Sequence, residues 1–194
     1  MTQLKSWNQI LLLIGLRYFI IAGIAFFVFY IIRKRKIAFK KIQLRLPSNK
    51  DYQREIFYST ITIIIFSIVP YFILRPPIRQ FTFFYDEIGD YGMVWFWLAF
   101  PVMLVVHDAY FYFTHRLMHH PKLFKHFHLI HHKSTNPSPW AAFAFHPLEA
   151  VVEVGVVILF LFIMPLCKVH LFLFFFFMMV YNVYGHLGWE LYPK

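Results

Sequence analysis

His107 to His132 reads HDAYFYFTHRLMHHPKLFKHFHLIHH, and it holds eight of the chain's eleven histidines. His115 and His119 are four apart, one turn along the same face of a helix. His128, His131 and His132 repeat that spacing at i, i+3 and i+4. Asp108, Tyr112, His115 and His119 follow each other at intervals of four, three and four, which keeps them within an arc of roughly 60°. A stripe of one carboxylate, one phenol and two imidazoles is not a core face. It reads as a metal site with the groups that orient its ligands. One His pair at this spacing is commonplace on a surface, and a His-rich loop beside a membrane can be a solvated basic face. Two such clusters so close together, the first led by an aligned Asp and Tyr, fit ligation better.

The rest of the composition says where this site sits. The chain of 194 residues is 60% hydrophobic and 22% aromatic, with 26 Phe and only 14% charged residues. Soluble proteins carry about 25% charged residues. So much apolar surface cannot be buried within one chain of this size, so lipid is the expected solvent for the remainder. The net charge of +10 does not indicate nucleic acid, because much of the Lys and Arg lies in short runs beside apolar segments, as topology signals do. The one cysteine, Cys167, excludes an intrachain disulfide. The first apolar run is too long for a cleavable signal peptide and has no small-residue cleavage site.

Ile10 to Ile32 forms that first run, interrupted by one charge, Arg17. It is long enough to cross a bilayer core of about 30 Å, and Arg17 is expected to snorkel toward the N-terminal interface. Arg33-Lys-Arg-Lys36, Lys40 and Lys41 follow, which predicts a cytoplasmic loop and an outside N-terminus. The polar stretch to about Arg54 reads as an interfacial linker. Ile56 to Leu74 is a second span, with Pro70 a candidate kink and Arg75-Pro76-Pro77 a stop. After a mixed interfacial segment, a third span starts near Gly92 and returns to the cytoplasm. Asp108 in its inner end is a functional candidate, because an unpaired carboxylate there is costly. Pro121 to Pro147 reads as cytosolic. Leu148 to Tyr184, broken by Pro165 and Lys168, is either two spans or a hairpin dipping into one leaflet. Phe172 and Phe174–Phe177 are read as lipid-facing. The fold class is an all-α polytopic membrane helix bundle: three spans, a C-terminal helical hairpin, and a cytosolic histidine-rich helical cap. Residues 1–104 form the N-terminal transmembrane region and 105–194 the histidine-bearing domain.

Five clustered histidines exceed what one four-coordinate zinc needs, and imidazole alone does not select among iron, zinc, copper and nickel. The excess argues for two ions. A redox pair below a helix bundle suggests oxygen activation aimed at a lipid C–H bond. Hydrolytic zinc chemistry fits less well, since no His-Glu-x-x-His is present. The competing class is a membrane metal-binding or transport protein without oxygenase activity. Against transport, the histidines gather at one membrane face. A haem protein would need isolated mid-span histidines, and only His170 comes near.

Asp108-x-x-x-Tyr112-x-x-His115-Arg116-x-x-His119 and His128-x-x-His131-His132 resemble the first two histidine boxes of the fatty acid hydroxylase/sterol desaturase superfamily. His146-Pro147-x-Glu149 and Gly185-His186 resemble stretches that follow those boxes, so the likeness covers roughly Val105 to Glu190. The resemblance implies an integral membrane non-haem di-iron enzyme, its two irons replaceable by zinc. Such an enzyme hydroxylates or desaturates a lipid, fatty acyl or sterol-like, with O₂ and an external electron donor, cytochrome b5- or ferredoxin-like. It implies His115, His119, His128, His131, His132 and His186 as ligands. Asp108, Tyr112, His107 and His146 are the residues expected to orient them. His120 and His126 are read as solvated, and His170 as a buried histidine. The family has a third box, a further His-x-x-His-His, which the residues up to Lys194 lack. The expectation is a piece of a longer protein, on account of the ending Leu191-Tyr192-Pro193-Lys194, and not a degenerate member. Six imidazoles shared by two ions give each about three, so this stretch is expected to hold at most one metal tightly and to lack oxygenase activity alone.

Overall fold

The computed structural model describes residues 6–191; Tyr192-Pro193-Lys194 lies outside them. Helix α1, Trp7–Phe26, starts at a capping box between Ser6 and Gln9 and continues as a π-helical segment, Phe27–Ile32. Helix α2, Asn49–Ile73, starts at a second box between Ser48 and Asp51. The expected linker therefore ends earlier than its polarity suggests. Residues 49–54 are the first turns of α2, because Ser48 and Asp51 satisfy the free N–H groups at its start. The helix runs through Pro70.

Helix α3, Gly92–Met118, carries the histidine stripe into two short helices, α4 (Pro121–Phe127) and α5 (Leu129–His132). Helix α6, Pro147–Ile163, and α7, Lys168–Gly185, form the C-terminal hairpin. Trp7–Ile32, Asn49–Ile73, Gly92–Met118 and Lys168–Gly185 are long and apolar enough to cross a membrane. Helix α6 is about 25 Å long at 1.5 Å per residue. Near its end, Trp95 Nε1 in the first turn of α3 donates to the Pro165 carbonyl at 2.8 Å. At its start, Glu149 reaches His128. The hairpin is thus tied at one end to the first turn of α3 and at the other to the histidine cluster.

Between α5 and α6 the chain turns inward. Residues 139–143 form a 3₁₀ turn, and Ala141, Ala142, Phe143, Ala144 and Phe145 are buried. Tyr18 Oη and Ser59 Oγ both donate to the Trp140 carbonyl, at 2.7 and 2.9 Å, and Phe143 stacks on Tyr18. This corrects the expected cytosolic Pro121–Pro147 stretch: the apolar half of it is a plug among α1, α2 and α7. The basic linker is pinned too. Lys41 bonds the Asn136 side chain, and Tyr30 Oη lies 3.0 Å from the Pro137 and Leu187 carbonyls.

Two further expectations change. Phe174 is buried against Phe160 and His107 and Phe175 is half-buried against the core, whereas Phe172, Phe176 and Phe177 are exposed; helical periodicity turns part of the tract inward. Arg17 turns toward the bundle, with its Nε buried. It shares one face of α1 with Ile10, Leu13 and Ile14, and that face lines a cavity between the helices.

Candidate metal centre

The last turn of α3 presents His115 and His119 side by side, their Nε2 atoms 3.1 Å apart. The end of α4 brings His128 across them: its ring centroid lies 4.5 Å from that of His115 and 4.8 Å from that of His119. One ligand atom from each of the three lies within 4.8 Å of the others. His132 joins on the outer side, 4.7 Å from His128 and 4.9 Å from His119. His131 lies on the inner side, 5.4 Å from His128 and 5.3 Å from His186 at the end of α7. All six histidines expected as ligands thus form one continuous group, open to the outside along His119 and His132.

Two of these rings are held in a single tautomer. His128 Nδ1 lies 2.6 Å from Glu149 Oε1, and both side chains are almost fully buried. With Glu149 ionised its carboxylate accepts, so Nδ1 carries the proton and Nε2 keeps its lone pair; that Nε2 is buried with no partner. His186 Nδ1 donates to the Asn182 carbonyl at 2.7 Å, which leaves its Nε2 free in the same way. Carboxylate or carbonyl bracing of this kind fixes metal-bound histidines. Glu149 is the functional residue that the histidine pattern alone does not reveal. Its only sequence signal is its place in the His146-Pro147-x-Glu149 stretch.

The donor set fits a metal ion. Metal–nitrogen bonds of about 2.0–2.1 Å put neighbouring donors about 3 Å apart, close to the His115–His119 separation. His115 Nδ1, His128 Nε2 and His131 Nδ1 are buried without hydrogen bonds, a cost that an ion would offset at the atoms that bind it. Electrostatics keep the lone pairs available. Burial, then the neighbouring His186, His128, His132 and His115, pushes His131 down to about 3. Burial also lowers His128. His132 is lowered by burial, then by His128 and His119. For His186, burial lowers the value against the opposing Asn182 bond.

The remaining candidates are placed around this group. Asp108 and Tyr112 share a surface hollow with Phe111, His115 and Arg116, but the Tyr112 phenol accepts from Arg116 at 3.0 Å. His107 stacks on Phe111, whose ring lies 5.0 Å from that of His115. His146 caps α6, its Nδ1 accepting from the Leu148 N–H, and His120 caps α4 likewise. His170 is buried away from the group, donating from Nε2 to the Phe96 carbonyl and accepting from the Cys167 N–H.

Residues 100–194 match the fatty acid hydroxylase family. Across 150 residues the chain is 34% identical to Delta(7)-sterol 5(6)-desaturase ERG3B of Gibberella zeae, covering 76% of this chain and 44% of that one. It is 34% identical over 108 residues to Delta(7)-sterol 5(6)-desaturase erg3C of Aspergillus fumigatus, 56% of this chain and 33% of the other. It is 32% identical over 123 residues to lathosterol oxidase of Rattus norvegicus, 62% and 41% of the two chains. The chain spans less than half the length of these curated relatives. No solved structure matches it. The histidine boxes, their convergence and these likenesses agree: from residue 100 onward, the chain is similar to the fatty acid hydroxylase/sterol desaturase superfamily.

Proposed function

We propose that the chain carries the centre of a membrane-bound non-haem di-iron oxygenase that hydroxylates or desaturates a lipid, fatty acyl or sterol-like. One juxtaposition supports the reading: Phe145, Asn182 and His107, which adjoin the histidine group, line a largely apolar cavity of about 640 Å³. Pockets for organic ligands run from about 300 to 1,000 Å³. Phe145 lines the cavity, and its ring centroid lies 5.3 Å from that of His131. Asn182 lines it too and holds His186 through its carbonyl. His107 lines it and leads through Phe111 to His115. A lipid chain in this cavity would touch the residues that adjoin the imidazoles.

His115, His119 and His128 would hold one iron, and His131, His132 and His186 are the donors for a second. When bound, iron supplies the O₂ chemistry needed to break an unactivated C–H bond, which side chains cannot do. The residues bind and orient. Glu149 holds the proton of His128 on Nδ1, Asn182 does the same for His186, and the apolar walls exclude water from the lipid. Residues 1–104 contribute cavity walls to the histidine-bearing domain, 105–194. The basic run after α1 supports a cytoplasmic site, where an external donor, cytochrome b5- or ferredoxin-like, would approach the open His119–His132 face. The full-length protein tests this: the reading expects two irons and O₂-dependent conversion of a lipid. Iron binding with no oxidised lipid would leave the metal-binding or transport alternative.

A further inference from the structure

The linker between α1 and α2 has two sides, and the inner one is knit to the protein. From Arg33 to Leu46 it carries seven Lys and Arg and no Asp or Glu. Lys41 is turned inward: its Nζ donates to the Asn136 side chain and the Gly188 carbonyl and lies over the Trp189 ring. Lys40 and Arg45 bond the interior through their backbone carbonyls, which accept from the Glu190 N–H and the Asn136 side chain. Their side chains, with those of Arg33, Lys34, Arg35 and Lys36, enter none of the ion pairs among the described residues. Asp51, the next acid along the chain, is tied to Arg54, and Glu55 is buried; Glu190 adjoins the linker through its N–H. The outer side is also apolar in places. Phe39 is 81% exposed, Ile42 is 64% exposed and Leu44 is fully so. Large apolar groups set among basic ones on a surface mark contact with a membrane face.

The position of the linker fits that contact. Trp7–Ile32 and Asn49–Ile73 are both long and apolar enough to cross a membrane, so the linker between two such spans leaves and re-enters at one face. Its charges then lie within a Debye length, about 8–10 Å, of the headgroups. We infer that the outward side of residues 33–46 is a docking surface for anionic phospholipid headgroups. The basic groups meet the headgroups, and Phe39, Ile42 and Leu44 meet the acyl boundary below them. An acidic protein would meet the same charges, but the linker is tethered at the lipid surface by a span on either side. The inner side connects this docking to the histidines. Lys41 bridges Asn136 and Gly188, and Tyr30 Oη lies 3.0 Å from both the Pro137 and Leu187 carbonyls. These are the segments that follow His132 and His186 in the chain. A leaflet that holds the linker therefore holds both segments at the membrane surface.

The test reads which lipid gathers at the linker of the full chain in nanodiscs. Leu44→Cys carries a fluorophore, while Cys167 is buried and stays unlabelled. Ile88→Cys, in the loop with Asp86, Glu87 and Asp90, is the comparison. Quenching by brominated phosphatidylserine is measured against quenching by brominated phosphatidylcholine. Each Lys or Arg near an anionic surface is worth about fivefold. Position 44 should therefore select phosphatidylserine about tenfold or more, and position 88 should not select it. Screening shortens to about 3 Å in 1 M salt, so the selection there should fall to about twofold or less. Replacing Lys40→Gln together with Arg45→Gln keeps the backbone bonds and should cut the selection about fivefold or more. Equal quenching by the two lipids at position 44 would overturn the assignment and leave the basic face to an acidic protein. Equal selection at 44 and 88, or selection unchanged by salt or by the double variant, would overturn it too. The labelled linker needs none of the basic substitutions to fold, and the readout needs neither iron nor a known orientation, since both leaflets share one composition.

Discussion

Replacing Glu149 probes the device that the histidine pattern does not show. Its carboxylate lies 2.6 Å from His128 Nδ1, with both side chains nearly inaccessible (2% and 1%), so solvent does not screen the contact. Loss of such a bracing partner costs about 10–100-fold in metal affinity, or roughly 1.4–2.8 kcal/mol. Glu149→Gln keeps the volume and an acceptor oxygen but loses the charge, so about tenfold is expected. Glu149→Leu leaves Nδ1 buried without a partner and frees the ring to take the other tautomer, so about 100-fold is expected. Tyr112→Phe is the comparison: the phenol bonds Arg116 and the side chain is 55% exposed, so the change should be about twofold or less. Metal titration against a competing chelator reads all three, with thermal unfolding of the metal-free proteins as the control for folding. Wild-type affinity in Glu149→Leu would refute the reasoning.

Gly155→Ala tests the packing that holds α6 against α3. An added Cβ would lie 2.5 Å from Tyr110 Oη, which donates to the Val152 carbonyl. Overpacking of about 1–3 kcal/mol should lower the thermal midpoint, and an unchanged midpoint would contradict the contact. For pH, the lowered values of His128, His131, His132 and His186 mean that the unfolded chain takes up protons the folded one refuses. The stability that these four histidines contribute to the metal-free protein should be full above about 6.5 and be lost as pH drops from there toward 3; thermal scans in which replacing His131 left the loss between pH 6 and 4 unchanged would contradict this. For sidedness, a reporter fused after Lys133 should behave as cytoplasmic, and a signal from the opposite compartment would reverse the proposed orientation.

The histidine cluster was legible because its order is local. Ligands one turn apart on α3 leave a periodicity that reads directly from residue spacing, and the apolar runs mark their own helices. What depends on distant partners was not legible. Glu149 is 21 residues from His128, and no local pattern links a helix's first turn to a loop histidine. The inward plug at 139–145 looked cytosolic because its apolar run is short and flanked by polar residues. Its burial comes from Tyr18 and Ser59, which bond the Trp140 carbonyl. Arg17 was misdirected for a related reason. Helix α1 is apolar all round, so its sequence carries no stripe to say which face is inside.

The central claim is that His115, His119 and His128 converge to hold a metal, and the most direct measurement is iron stoichiometry by titration of this 194-residue stretch. The expected result is one tightly held iron, lost in both His119→Ala and His128→Ala while the fold is kept. No tight iron, or iron retained at wild-type affinity in either variant, would contradict the assignment; two tight irons would contradict the count drawn from six imidazoles.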